Sequence, residues 1–436
     1  MFYNLLPQKI TMNIDRTIAP QTEEISSFNL VEANSTKLEN GINIHRIEAG
    51  NEAVLKVDFV FNAGSLNQSK KGQAALTNRM IGEGTSKYTA QQLADALDFY
   101  GAYINTRSAT DESSVTLYCL SKHLNSCLTY IYEMFTDANF PEDDLKILTQ
   151  NSVQKLAVNE QKNTFLVRKY FYASIFGEEN PYGSSVNKED YLNINRQDLI
   201  EFYQTNYINR LEHIMVSGQA DNSTMIEIEA FCQKFNNTIT RTILPFPAFG
   251  ASAERKKFHN KPGSSQSAIR IGRPIFNRNH KDFRKFQLLN LILGGYFGSR
   301  LMKNIREDKG LTYGIYSSLE SYKNGGCWYI ETEMNNELRE KGLIEIYKEL
   351  KTLREELIDE EELQTAKNYL LGSFLRSIDS PFSLADRYKI LLDYNLEYSY
   401  YQEFIEIVKT TNAEEIRSLA NEYLQETDLY EIIVGS

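Results

Sequence analysis

Residues 53–61 (A-V-L-K-V-D-F-V-F) alternate, with Leu55, Val57, Phe59 and Phe61 toward one side and Lys56 and Asp58 toward the other. That period predicts a half-buried strand. Gly72–Met80 reads as a helix, and Thr89-Ala-Gln-Gln92 has capping-box spacing that opens another helix running to Tyr100. Val115–Cys119 and Ile214–Gly218 read as strands. Between them lie amphipathic helices over about 121–137 and, behind Pro141 as a first-turn proline, over 142–174.

The pattern then breaks. Segment 241–265 carries Pro245, Pro247 and Pro262, Gly250 and Gly263, and the basic cluster Arg255–Lys257. It reads as a solvated interdomain linker. Beyond it the order returns: a strand at Ala268–Arg273, helices over 281–293 and 299–308, strands over 311–319 and 327–334, helices over 337–357 and 360–378. Residues 141–170 resemble residues 358–388, with Asn151 opposite Asn368 and Phe165 opposite Phe382 at one offset near half the chain. Such a period means two copies of one unit rather than a solenoid. Strands and helices mix without strict βαβ alternation, so the expected class is α+β, each domain a largely antiparallel sheet packed with helices. The expected limits are 24–240 and 266–436, joined by 241–265.

Composition narrows the function classes. The chain has 436 residues, 42% hydrophobic and 24% charged, which excludes disordered, collagen-like and coiled-coil chains. Lys+Arg is 47 against Asp+Glu 58, a net charge of −11 that argues against nucleic-acid binding. The 4 cysteines form no C-x-x-C and read as reduced packing residues. No apolar run approaches the ~18 residues of a membrane span. Phe2–Leu6 is too short for the apolar core of a signal peptide, so a cytoplasmic location is expected. The acidic run Glu355, Glu356 and Asp359–Glu362 reads as a solvated helix–turn–helix surface rather than a metal site.

Two segments carry more. They are G-Q-A-A-L-T-N-R-M-I-G-E-G-T (Gly72–Thr85) and L-N-L-I-L-G-G-Y-F-G-S-R-L-M-K-N-I-R-E-D-K-G-L-T-Y-G-I-Y-S (Leu289–Ser317). With N-P-Y-G (Asn180–Gly183) and V-S-G-Q-A-D (Val216–Asp221), they resemble the pitrilysin/insulinase family of zinc metallopeptidases, which includes the mitochondrial processing peptidase. The resemblance spans nearly the whole chain and implies two homologous domains forming one half of a clamshell.

In that family an inverted H-x-x-E-H helix brings two imidazoles and a general base to zinc, and a later Glu is the third protein ligand. Here the first His position falls on Ala75, the Glu on Asn78 and the second His on Arg79, while Met80, Gly84 and Thr85 keep the register. Ala75 has no lone pair to donate, the Asn78 amide is no base, and Arg79 is a permanent cation. The third ligand position falls near Lys155 or Leu156, and Glu160, about one helical turn on, reads as a surface carboxylate. His45, His123, His213, His259 and His280 are scattered, and only His123 has a helical-spaced cysteine, Cys127. No metal or other cofactor is therefore expected in this chain.

The family also places an Arg and a Tyr from the second half at the seam facing the zinc, and these match Arg306 and Tyr313 in R-E-D-K-G-L-T-Y. A guanidinium and a phenol donate hydrogen bonds to a peptide carbonyl and to the oxyanion that develops on it. Spacing alone reads them as a helix C-terminal cation and a strand residue. Gly310 ends the preceding helix so that a strand carrying Tyr313 follows. Asn105 matches the Asn of the family's peptide-flanking stretch, although Thr106 replaces the Ala there. A turn or strand-edge Asn is the plainer reading.

The resemblance thus implies a non-catalytic subunit that binds peptide and supplies Arg306 and Tyr313 in trans. Its partner would be a homologous subunit carrying the zinc. A structural or scaffold subunit is the alternative, and an autonomous zinc peptidase a third. Alone, the chain is expected to be open to homodimerisation through its partner-binding face.

Overall fold

The computed structural model describes residues 16–17, 28, 30–237 and 246–436. The expected domain start at 24, the N-terminal segment judged for a signal sequence and the first five residues of the expected linker lie outside the described residues.

The first half contains β1 (Asn34–Lys37), β2 (Asn43–Glu48), β3 (Val54–Phe61), α1 (Gln73–Met80), α2 (Ala90–Phe99), β4 (Tyr103–Ser108), β5 (Ser113–Leu120), α3 (Leu124–Thr136), α4 (Glu142–Glu160), α5 (Asn163–Phe176), α6 (Lys188–Leu192), α7 (Arg196–Asn206), β6 (Leu211–Gly218) and α8 (Asn222–Cys232). The second contains β7 (Lys256–Asn260), β8 (Gln266–Ile275), α9 (Phe283–Asn290), β9 (Ile315–Tyr322), β10 (Gly325–Asn335), α10 (Arg339–Glu355), α11 (Glu360–Arg376), α12 (Pro381–Tyr394), α13 (Ser399–Thr410), α14 (Ala413–Tyr423) and β11 (Tyr430–Gly435). Two π-helical turns, Leu291–Gly295 and Met302–Asp308, lie between α9 and β9.

The strands form two sheets of one plan. The first runs β1-β2-β6-β3-β5-β4 and the second β7-β11-β8-β10-β9. Apart from β1, the orders correspond strand for strand. In each, the outer pair is parallel (β2 with β6, β7 with β11) and the rest are antiparallel. The α+β class and the doubled unit are therefore as the sequence pattern predicts. Strand β7 lies inside the segment 241–265 and forms the outer strand of the second sheet.

The two units are tied by exchange. One face of the first sheet packs with α1, α2, α3, α7 and α8 into one core, and one face of the second packs with α9, α10 and α14 into another. The opposite face of the second sheet is covered by α5, a helix of the first half: Val167, Phe171 and Ile175 pack on Ala268, Tyr329, Ile432 and Val434. Reciprocally, Leu384 and Ala385 of α12 pack on Ile47 and Met215 of the first sheet. α5 and α12 hold the repeat-related Phe165 and Phe382.

This exchange explains a departure among the helices of the first half. The amphipathic run 142–174 is two helices, broken at Gln161 and Lys162. α4 stays with its own unit while α5 crosses to the other. Lys261 donates to the Glu160 and Gln161 carbonyls at 3.2 and 2.5 Å, and Asn163 donates to the Gln266 carbonyl at 2.7 Å. Two carbonyls left open at the end of α4 are thereby satisfied from the second unit, and the Asn163 side chain ties the start of α5 to it.

Candidate functional site

Helix α1 keeps the family frame for structural reasons. Met80 is fully buried, and Gly84 takes φ +138°, a backbone region that L side chains rarely adopt. Thr85 is buried, and its hydroxyl accepts from the Lys87 and Tyr88 amides at 3.2 and 3.1 Å. These residues close the turn after α1 whatever its exposed face carries.

The former ligand positions do not fit zinc. Ala75 offers a methyl group. Asn78 is 1% exposed, accepts from the Tyr207 hydroxyl at 3.0 Å and donates to the Ser114 carbonyl at 3.4 Å, so its amide is engaged in the core. Burial raises the Tyr207 pKa, which keeps the phenol protonated as that donor. Arg79 is exposed. On α4, Lys155 is exposed and Leu156 half-buried, and Glu160 pairs with Lys169 at 3.4 Å. Among the described residues, no group of three His, Cys, Asp or Glu is placed to hold a metal ion.

The histidines find other partners. His123 packs at a tilt against Tyr100, whereas His259 stacks on Tyr170 and His280 on Phe276. Cys127 is a free thiol buried in the same core as Cys119, so the His123–Cys127 spacing does not mature into a site. Sequence spacing could not anticipate that β2 and β6 bring His45 and His213 together, Nε2 to Nδ1 at 3.1 Å. Ser35 and Tyr388 of α12 sit 2.8 and 3.2 Å from His45 Nδ1. Burial, then the neighbouring His213, lowers the His45 pKa to about 4. In the acidic run, Asp359 caps α11 by accepting from the Glu362 amide at 2.8 Å, and Glu362 holds Arg300 at 2.8 and 2.6 Å.

Arg306 and Tyr313 lie at the surface. The turn Leu291–Gly295 packs directly on β9, where a Cβ on Gly294 would stand 2.6 Å from the Ser317 amide nitrogen, so this approach requires glycine. Arg306 lies in the last turn of Met302–Asp308, half-buried. Its guanidinium carbon is 4.8 Å from the centre of the Phe297 ring, a residue that sequence reasoning passed over. Gly310, at φ +60°, follows the end of that helix. Tyr313 is 92% exposed and stands in the loop before β9, not on the strand, because pairing with β10 begins only at Ile315. Asn105 is exposed on β4, the edge of the first sheet, and pairs in register with Thr116 of β5.

A cavity of about 860 Å³ opens between the units. Four of its charged residues pair with one another: Lys323 with Glu112 and Asp393, each at 3.2 Å, and Lys389 with the same two at 2.5 and 2.9 Å. His213 lines it, whereas Ala75, Asn78, Arg79, Asn105, Arg306 and Tyr313 do not.

A helix with the frame but not the ligands of an inverted zinc motif, in a doubled α+β chain, defines the class. The chain belongs to the insulinase family, peptidase family M16: the family model matches residues 47–189, and that of the peptidase M16 inactive domain matches residues 193–370. It is a member without the zinc motif.

Among curated relatives, an uncharacterized zinc protease of Bacillus subtilis (strain 168), YmxG, is 24% identical over 359 residues, covering 81% of this chain and 86% of that one. A non-peptidase homolog of Helicobacter pylori (strain ATCC 700392 / 26695), also YmxG, is 24% identical over 322 residues, 71% of this chain and 72% of that one. Among solved structures, a peptidase M16 inactive domain from Pseudomonas fluorescens superposes with TM-score 0.84 at 22% identity, covering 92% of this chain and 98% of that one. A chain of complex III2 from Candida albicans superposes with TM-score 0.73 at 15% identity, covering 92% and 95%. These structural likenesses define the fold.

Proposed function

We propose that this chain is the non-catalytic subunit of a two-chain peptidase. A homologous subunit with an intact H-x-x-E-H helix brings the metal centre, and this chain supplies Arg306 and Tyr313 to the bound peptide. The observation that carries the reading is the contrast between the two halves. The Asn78 amide is engaged inside the core, whereas the side chains of Arg306 and Tyr313 make no hydrogen bond or ion pair with any described residue. Charged and phenolic donors left open at a surface are suited to a carbonyl arriving from outside. Asn105, on an open sheet edge, is placed to bond a peptide backbone running alongside β4.

A structural subunit of a larger assembly is the second reading. It draws on the fold shared with a chain of complex III2, but it gives Arg306 and Tyr313 no task. An autonomous zinc peptidase is disfavoured by the chemistry at residues 75, 78 and 79.

Co-expression with each H-x-x-E-H homologue of the same organism tests the proposal. The expected result is co-purification with one of them and peptide cleavage by the pair well above that of the partner alone. A partner equally active alone, or none that binds, contradicts it.

A further inference from the structure

Two arginines of one segment are held in different ways. Arg300 is clasped by Glu362 through two bonds, which offset its charge and occupy two of its five N–H donors. Arg306 makes no ion pair with a carboxylate among the described residues and lies over the ring of Phe297. Phe297 is itself anomalous, a large apolar side chain 60% exposed. Its neighbour Tyr296 packs on Tyr369 of α11, ring centres 4.8 Å apart, and bends over Gly298, where a Cβ would stand 2.8 Å from the Tyr296 ring. The loop is therefore anchored by one aromatic residue and presents the next to solvent.

The two modes differ in chemistry. A carboxylate orients a guanidinium but cancels its charge and takes its donors. An aromatic face attracts the cation through its quadrupole and leaves the in-plane N–H groups open. An arginine that must meet a carbonyl or a developing oxyanion needs the second arrangement.

We propose that Phe297 is a positioning residue for Arg306, stacking beneath the guanidinium so that it stays oriented, charged and unoccupied. The proposal rests on the functional reading above. It adds how this chain keeps Arg306 ready, and it predicts that an aromatic ring, not merely an apolar side chain, is required at 297.

The test compares Phe297→Leu with Phe297→Trp. In the isolated chain, the Arg306 side-chain Nε–Hε resonance, assigned with Arg306→Lys, carries a ring-current shift in the native protein and in the Trp variant and loses it in the Leu variant. Melting temperatures stay unchanged, since residue 297 fills no core. In the complex with the zinc-bearing partner, Phe297→Leu lowers kcat about two- to fivefold at constant KM. Phe297→Trp restores it, and Phe297→Leu adds nothing to Arg306→Ala. The proposal is overturned if the Arg306 resonance is the same in the Leu variant. It is equally overturned if Phe297→Leu leaves kcat at the native value where Arg306→Ala lowers it. Should Arg306→Ala itself leave turnover unchanged, the functional reading falls, and the spectrum alone decides the stacking.

Discussion

Asn78 stands where a catalytic carboxylate would, and its surroundings have closed around a neutral amide. Truncating it to Ala removes the Asn78 partner of the buried Tyr207 hydroxyl and of the Ser114 carbonyl. Asn78→Ala should cost about 1–3 kcal/mol, read as a lower urea midpoint. An unchanged midpoint would mean the amide is idle. His45 makes a second prediction at this scale. Its folded pKa is about 4 against an ordinary value of 6.5, so between these values the unfolded chain binds more protons than the folded one. Stability then rises with pH across that window. The contribution, on the order of 3 kcal/mol, is complete above 6.5 and is lost progressively as pH falls toward 4. Melting temperatures at pH 7.5 and 4.5 should converge in His45→Gln relative to the native chain, and parallel profiles would contradict the assignment.

At the scale of elements, the exchange of α5 and α12 joins the halves. Glu331 of β10 lies under α5 and accepts from Arg270 Nε at 2.8 Å, Arg168 Nη2 at 2.5 Å and the Tyr316 hydroxyl at 2.8 Å. Burial pushes its pKa up, but the Arg168 bonds and the Arg270 charge outweigh that and hold it below the ordinary carboxylate range. Under α12 the signs are reversed: Lys56 of β3 bonds Asp386 at 2.6 Å. Phe171 of α5 is fully buried against the second sheet. Phe171→Ala should therefore cost about 3–5 kcal/mol and speed amide exchange in β8 and β11, strands of the other unit. Faster exchange confined to the first half would contradict the crossing.

The repeat was legible because Asn151 and Phe165 recur as Asn368 and Phe382. The crossing was not, since amphipathic periodicity tells that a helix has an apolar face but not which sheet receives it. For the same reason the break at residues 161 and 162 escaped the pattern. The His45–His213 contact depends on a parallel pairing of β2 with β6, across a sequence distance that no motif spans. The candidate positions on α1 and around Arg306 were reached through the family resemblance, which rests on residues at fixed spacing in Gly72–Thr85 and Leu289–Ser317. The loop position of Tyr313 depends on where β9 begins to pair.

The whole molecule is a chain of the peptidase M16 family in which the Asn78 amide, bonded in the core, stands at the position of the motif's glutamate. Zinc added to the purified chain should bind below one equivalent after gel filtration, measured by elemental analysis, and stoichiometric zinc would contradict the fit argued for Ala75, Asn78 and Arg79. Among the described residues no helix is long and apolar enough to cross a membrane. The central claim concerns what Arg306 does for a reaction centred on another chain. The direct measurement is peptide turnover by the assembled pair with Arg306→Ala in this subunit, with assembly verified by light scattering. The account predicts an intact complex and a loss of about 10²–10³ in kcat, the scale of one oxyanion donor. An intact complex that turns over at the native rate would contradict it.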